Sequence, residues 1–82
     1  MDFKDINFPV YRKYKNNKSY FKIIQPDLFE EIQIISSKII IKQIKAELYP
    51  EKMFIHDLIF NYSEMAEEIG EKEYLKIKEE LL

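Results

Sequence analysis

His56 is the only histidine of the chain, and Asp57 follows it directly. A histidine next to a carboxylate could begin a general-base relay, but that chemistry also needs a nucleophile and an acid that orients the ring. Successive residues of a helix point about 100° apart, so Asp57 is not placed to orient its neighbour. A two-histidine metal motif has no second member here. Three adjacent acid pairs, Glu30-Glu31, Glu67-Glu68 and Glu79-Glu80, carry the group types used in acid–base work and in binding hard cations. Adjacent side chains diverge on a strand or a helix, so each pair reads as a solvated face. One glycine in 82 residues argues against a phosphate-cradling loop, which needs several. We therefore expect no enzyme, no cofactor and no metal.

The segment YRKYKNNKSYFK interleaves cations and rings. Tyr11, Arg12, Lys13, Lys15, Lys18 and Lys22 are the composition a single-strand nucleic-acid binder would use, with cations on phosphates and rings stacked on bases. The competing reading is an exposed hairpin with solvated lysines and inward or cross-strand aromatics. No defined nucleic-acid motif is matched, so nucleic acid is the second of two partner expectations.

The first is protein. Met53 and Phe60 lie seven residues apart, on the side of a helix away from its main apolar face, and Ile40 sits in a run of isoleucines that points to both faces of a strand. Apolar side chains outside the core face need another cover. Met53, Phe60 and Ile40 are thus the candidate interface. A homo-oligomer or a different protein is the expected partner, because small domains gain most from association.

These groups must be positioned by elements that the pattern predicts. Residues 9–15 and 19–25 are aromatic and β-branched around Asn16-Asn17-Lys18, a hairpin signature. Residues 28–35 fit either a strand or a helix capped by Asp27 and Glu30; the strand is preferred because Ser36-Ser37 leads straight into the strand at 38–46. A strand with isoleucine on both faces, Ile39 to Ile41, is expected to be central or covered on its second face. Pro50 and Glu51 suit the first turn of a helix over 49–62, with Phe54, Ile55, Leu58, Ile59 and Tyr62 on one face. Residues 63–69 fit a helix start or a short alternating strand. A helix over 71–82 presents Tyr74, Ile77 and Leu81, helped by Leu75 and Leu82. The expected fold is α+β: a four-stranded antiparallel β-meander followed by two helices, in two layers, as a single domain over 1–82. Residues 1–8 form an N-terminal arm that Phe3, Ile6 and Phe8 can pin.

The whole chain bounds the rest. It is 46% hydrophobic and has no cysteine, so disulfides and thiolate zinc sites are excluded. The first residues carry acids and no apolar h-region, and no apolar run approaches a bilayer span; a cytoplasmic setting is expected. Net charge is −2, but it is polarised. Residues 1–25 hold six basic and two acidic side chains, whereas residues 50–82 hold four basic and nine acidic ones.

Overall fold

The computed structural model describes residues 3–80. A short 3-10 turn (Phe3–Asp5) precedes β1 (Val10–Tyr14), β2 (Ser19–Gln25), β3 (Leu28–Ile35), β4 (Lys38–Lys45), α1 (Tyr49–Phe60), β5 (Ala66–Glu68) and α2 (Glu71–Glu80). Leu81 and Leu82, expected to close the last helix, lie outside the described residues.

Local chemistry sets the reversals. Asn17 takes a φ of 60°, which asparagine tolerates better than most residues. Its N–H donates to the Tyr14 carbonyl at 2.9 Å, and the Asn16 Oδ1 accepts the Lys18 N–H at 2.9 Å. Ser36, with φ of 57°, turns β3 into β4. Pro26-Asp27 separates β2 from β3 after an irregularity between Ile23 and Gln25. Residues 28–35 are a strand, held between Ser19–Gln25 on one side and Lys38–Lys45 on the other.

The five strands form one antiparallel sheet of order β4-β3-β2-β1-β5. That is one strand more than the expected meander. The extra member comes from the segment at 63–69: Arg12 pairs with Glu68, Lys13 with Glu67 and Tyr14 with Ala66.

Alternate side chains of a strand point to opposite faces, and here both faces are buried. Phe21, Ile23 and Phe29 join Ile55, Leu58 and Ile59 of α1 in one core, which the arm residues Phe3, Ile6 and Phe8 also pack against. Tyr20 and Ile32, their immediate neighbours or alternates, meet Tyr74 in a second core, with Ile39, Ile41 and Ile77 packed against it. The helices therefore cover opposite faces, and the architecture has three layers rather than two.

The isoleucine-rich strand is not central. β4 ends the sheet, paired to β3 alone. Its two-faced apolar pattern fits the other expectation, a cover on the second face: Ile44 packs toward the α1 side, Ile39 and Ile41 toward the α2 side, and Ile40 is left 43% exposed.

Glu51 organises the start of α1 by accepting the backbone N–H groups of Glu47 and Leu48, each at 3.2 Å. Ile55, Leu58 and Ile59 are its buried residues, as its spacing predicts. Among the described residues, no helix is long and apolar enough to cross a membrane.

Phe21 has no exposed surface and contacts the rings of Tyr14, Phe29 and Phe54. Phe21→Ala is expected to cost about 4 kcal/mol through lost burial and the cavity left behind, read as a fall in the urea midpoint at unchanged slope.

Candidate interaction surface

Arg12 emerges from β1 toward the end of α1. It is 8% exposed. Its Nε donates to the Leu58 carbonyl at 2.8 Å and its Nη1 to the Tyr11 carbonyl at 2.9 Å. The guanidinium lies 4.1 Å from the centre of the Tyr62 ring, a cation–π distance, and Glu68 stands 3.9 Å from Nη2. The last turn of α1 has no basic residue of its own; Arg12 meets one of its terminal carbonyls from the sheet. Tyr62 in turn donates to Glu68 Oε1 at 2.7 Å. These groups line an open cleft of about 450 Å³. They satisfy one another across β1, α1 and β5, and the set contains no nucleophile with a base.

The other cations and rings of the hairpin divide into two groups. Lys13 is bound by Glu67 and Glu73, each at 3.3 Å. Tyr11 donates to Glu71 at 3.3 Å and its ring packs at a tilt against Tyr74, 5.3 Å between centroids. Lys15 and Lys18 are exposed, and Lys22 is half-buried beside Glu30 on the next strand. Two of the five cations, Arg12 and Lys13, and the ring of Tyr11 are thus engaged by acids of the C-terminal third. Of the acid pairs read from the sequence as solvated faces, Glu67-Glu68 stays exposed but pairs with Lys13 and Arg12, and Glu30 is buried; Glu71 and Glu73, outside those pairs, are not singled out by the sequence.

Glu30 joins α2 to the sheet. Its Oε1 accepts Tyr74 Oη at 2.7 Å and Lys78 Nζ at 2.9 Å. Burial alone pushes the Glu30 carboxyl up, but the hydrogen bonds from Lys78 and Tyr74 and the charges of Lys78 and Lys22 together outweigh it and hold the group below its ordinary value. Tyr74, fully buried, is pushed well above the usual tyrosine range, first by burial and then by the hydrogen bond and charge of Glu30.

His56 does not form a relay. Its Nδ1 is 3.9 Å from Asp57 Oδ1, beyond hydrogen-bond reach, and has no hydrogen-bond partner among the described residues. Its ring instead lies between Phe3 at 6.1 Å and Phe60 at 4.8 Å. Among the described residues no group of three or more His, Cys, Asp or Glu is placed to hold a metal ion.

The candidate interface residues fall on one helical stripe and one strand. Tyr49, Met53, His56 and Phe60 recur at i, i+4, i+7 and i+11 of α1, a single face. Its far end is covered by the chain itself: Phe3 lies 5.6 Å from Phe60, which is half-buried against the core. Its near end is open, with Tyr49 74% and Met53 37% exposed. Seven large apolar side chains are exposed among the described residues; Ile40 lies in β4, Ile35 ends the neighbouring β3, Leu48 and Tyr49 follow β4 in the chain, and Met53 sits one turn further along α1. Sequence reading singled out Ile40 and Met53 but missed Ile35, Leu48 and Tyr49. Only the strand order shows that these three surround a free edge.

No family model matches the chain, and no curated protein or solved structure is significantly similar to it.

Two outcomes follow for this network. Arg12→Leu is expected to cost about 2 kcal/mol by leaving the Leu58 carbonyl without its donor, measured by urea denaturation, with Lys15→Ala neutral beside it. Because the folded Glu30 pKa is depressed, its contribution is present above the unfolded value of about 4.3 and is lost as pH falls through the lower folded value. Glu30→Gln is therefore expected to lose about 1.5 kcal/mol at pH 7 and to match the parent protein at pH 2, in parallel denaturation series.

Proposed function

We propose that this chain is a small non-enzymatic protein-interaction module that self-associates. The observation that supports this reading is the clustering of exposed apolar side chains around β4. Monomeric surfaces scatter single apolar residues without consequence, but contiguous patches mark interaction sites. Here the patch adjoins an eight-residue edge strand, and a long edge with exposed isoleucine is a template for another chain. The interface centres on Ile40 and Met53, joined by Ile35, Leu48 and Tyr49. Phe60, the third residue suggested by the sequence, contributes by setting the helix against the arm rather than by facing the partner.

The competing reading, a nucleic-acid-binding accessory protein, has less support. Arg12 and Lys13 are engaged internally, as is Tyr11. Lys15, Lys18 and Lys22 remain for that role. A cytoplasmic location belongs to the same proposal and rests on the sequence reading above.

Sedimentation equilibrium is expected to give twice the chain mass at micromolar concentration, and Met53→Glu with Ile40→Glu to shift it to the chain mass while leaving far-UV circular dichroism unchanged. A protein that stays monomeric at all concentrations and is retained on a single-stranded DNA column in low salt would reverse the order of the two readings.

A further inference from the structure

Resting on the self-association proposed above, we infer that the partner is a second copy of this chain, paired antiparallel along β4 with Ile41 at the two-fold axis, so that two five-stranded sheets become one continuous sheet.

The first argument is the direction of the backbone. The Ala46 N–H donates to the Asp27 carbonyl at 2.7 Å, whereas the Ile34 N–H donates across the other side of β3, to Lys18 at 2.8 Å. Backbone groups alternate along an antiparallel ladder. Even-numbered residues of β4 thus face β3, and Ile39, Ile41 and Gln43 turn their N–H and C=O outward. Those groups have no partner among the described residues.

Charge selects the register. Outward groups must meet outward groups, so only alternate registers are open. With Ile41 opposite itself, Ile39 meets Gln43, Ile40 meets Lys42 and Lys38 meets Ile44. No lysine faces a lysine, and seven residues of each strand pair. Moving the axis to Ile40 sets Lys38 against Lys42, and moving it to Lys42 sets that lysine against itself; like charges directly opposite are destabilising. Registers further out shorten the ladder. Lys42 and Lys45 are moreover already partnered, by Glu31 of β3 at 3.9 Å and by Asp27 of the preceding turn at 3.3 Å, which lowers the repulsion that edge lysines supply against pairing.

The exposed apolar groups supply the second, independent argument. Ile35 and Ile40 point to the α1 face of the sheet, given the pairing of Gln33 with Ile40 and of Glu31 with Phe21, and they lie toward the Ser36-Ser37 end of β4. At the other end, the exposed Leu48 and Tyr49 follow β4 and lead into α1, the helix that covers that same face, with Met53 exposed one turn on. A two-fold axis through the strand centre, perpendicular to the sheet, keeps like faces together and brings one end of β4 against the other end of its copy. Each protomer then turns its Ile35 end toward the partner's Leu48–Tyr49 end, while Ile40 sits beside the partner's Lys42 near the axis, which is the self-complementarity an isologous interface requires. A strand edge alone is small against the roughly 1,000 Å² of a stable interface; these two reciprocal patches enlarge it.

The absence of native cysteine makes cross-linking selective. Ile40 and Lys42 of the two copies form a non-hydrogen-bonded pair, the closer kind. Ile40→Cys and Lys42→Cys proteins, one with a longer tag, are mixed and oxidised. The expected result is a mixed disulfide dimer in about tenfold excess over the homodimer either protein forms alone. Efficient self-cross-linking of one variant alone would move the axis to that residue and overturn the register. In a second measurement, Gln43→Pro removes an outward N–H and leaves the bonds to β3; it is expected to give the monomer mass with unchanged circular dichroism. If the parent sediments as a dimer, yet nothing cross-links and Gln43→Pro stays dimeric, this pairing is wrong while self-association stands. If the parent is monomeric, both fail.

Discussion

Tyr20 and Phe21 are neighbours in β2, point to opposite faces of the sheet, and are both buried. Ile32 and Phe29 repeat the condition in β3. A sheet that buries large side chains on both faces needs a cover on each, and 82 residues leave few ways to provide two. The chain uses one helix per face and recruits its N-terminal arm to finish the first cover. Most other features follow from this demand. α1 brings a continuous apolar face. α2 has one fully buried side chain, Tyr74, and so depends on polar fastening to stay in place.

That fastening explains the polarised charge. Glu71, Glu73, Tyr74 and Lys78 of α2 reach Tyr11, Lys13 and Glu30 on the sheet. Exposed pairs contribute little individually, but those at Tyr74 and Glu30 are shielded, where an unmet partner is costly. Arg12 performs the analogous task on the opposite face, tying the end of α1 to β1. The basic N-terminal third and the acidic C-terminal third meet in one fold, and Arg12 and Lys13 of the basic hairpin are engaged in building the protein.

The two sheet edges are treated differently. β5 is three residues long and carries Glu67 and Glu68, a short, charged edge of the kind that discourages pairing. β4 is eight residues long, exposes Ile40, and leads directly into bare Leu48 and Tyr49. Its lysines are partly answered by β3. The asymmetry concentrates any tendency to associate on one side of the molecule.

The local pattern was sufficient for the hairpin at 9–25, the strand at 38–46, the helix that starts at Tyr49 and the helix that starts at Glu71, because turn chemistry and apolar periodicity act over a few residues. It also identified Met53 and Ile40. It could not decide that Ile39 to Ile41 lie at an edge, that residues 66–68 return to β1, or that α2 takes the second face. Each of those depends on which strand finds which neighbour across tens of residues, and alternation along one strand reports only that two faces exist. The same limit applies to charge. Sequence order shows that Lys13 is basic and Glu73 acidic, 60 positions apart, but only the packed sheet brings them to 3.3 Å and engages the Lys13 charge within the fold.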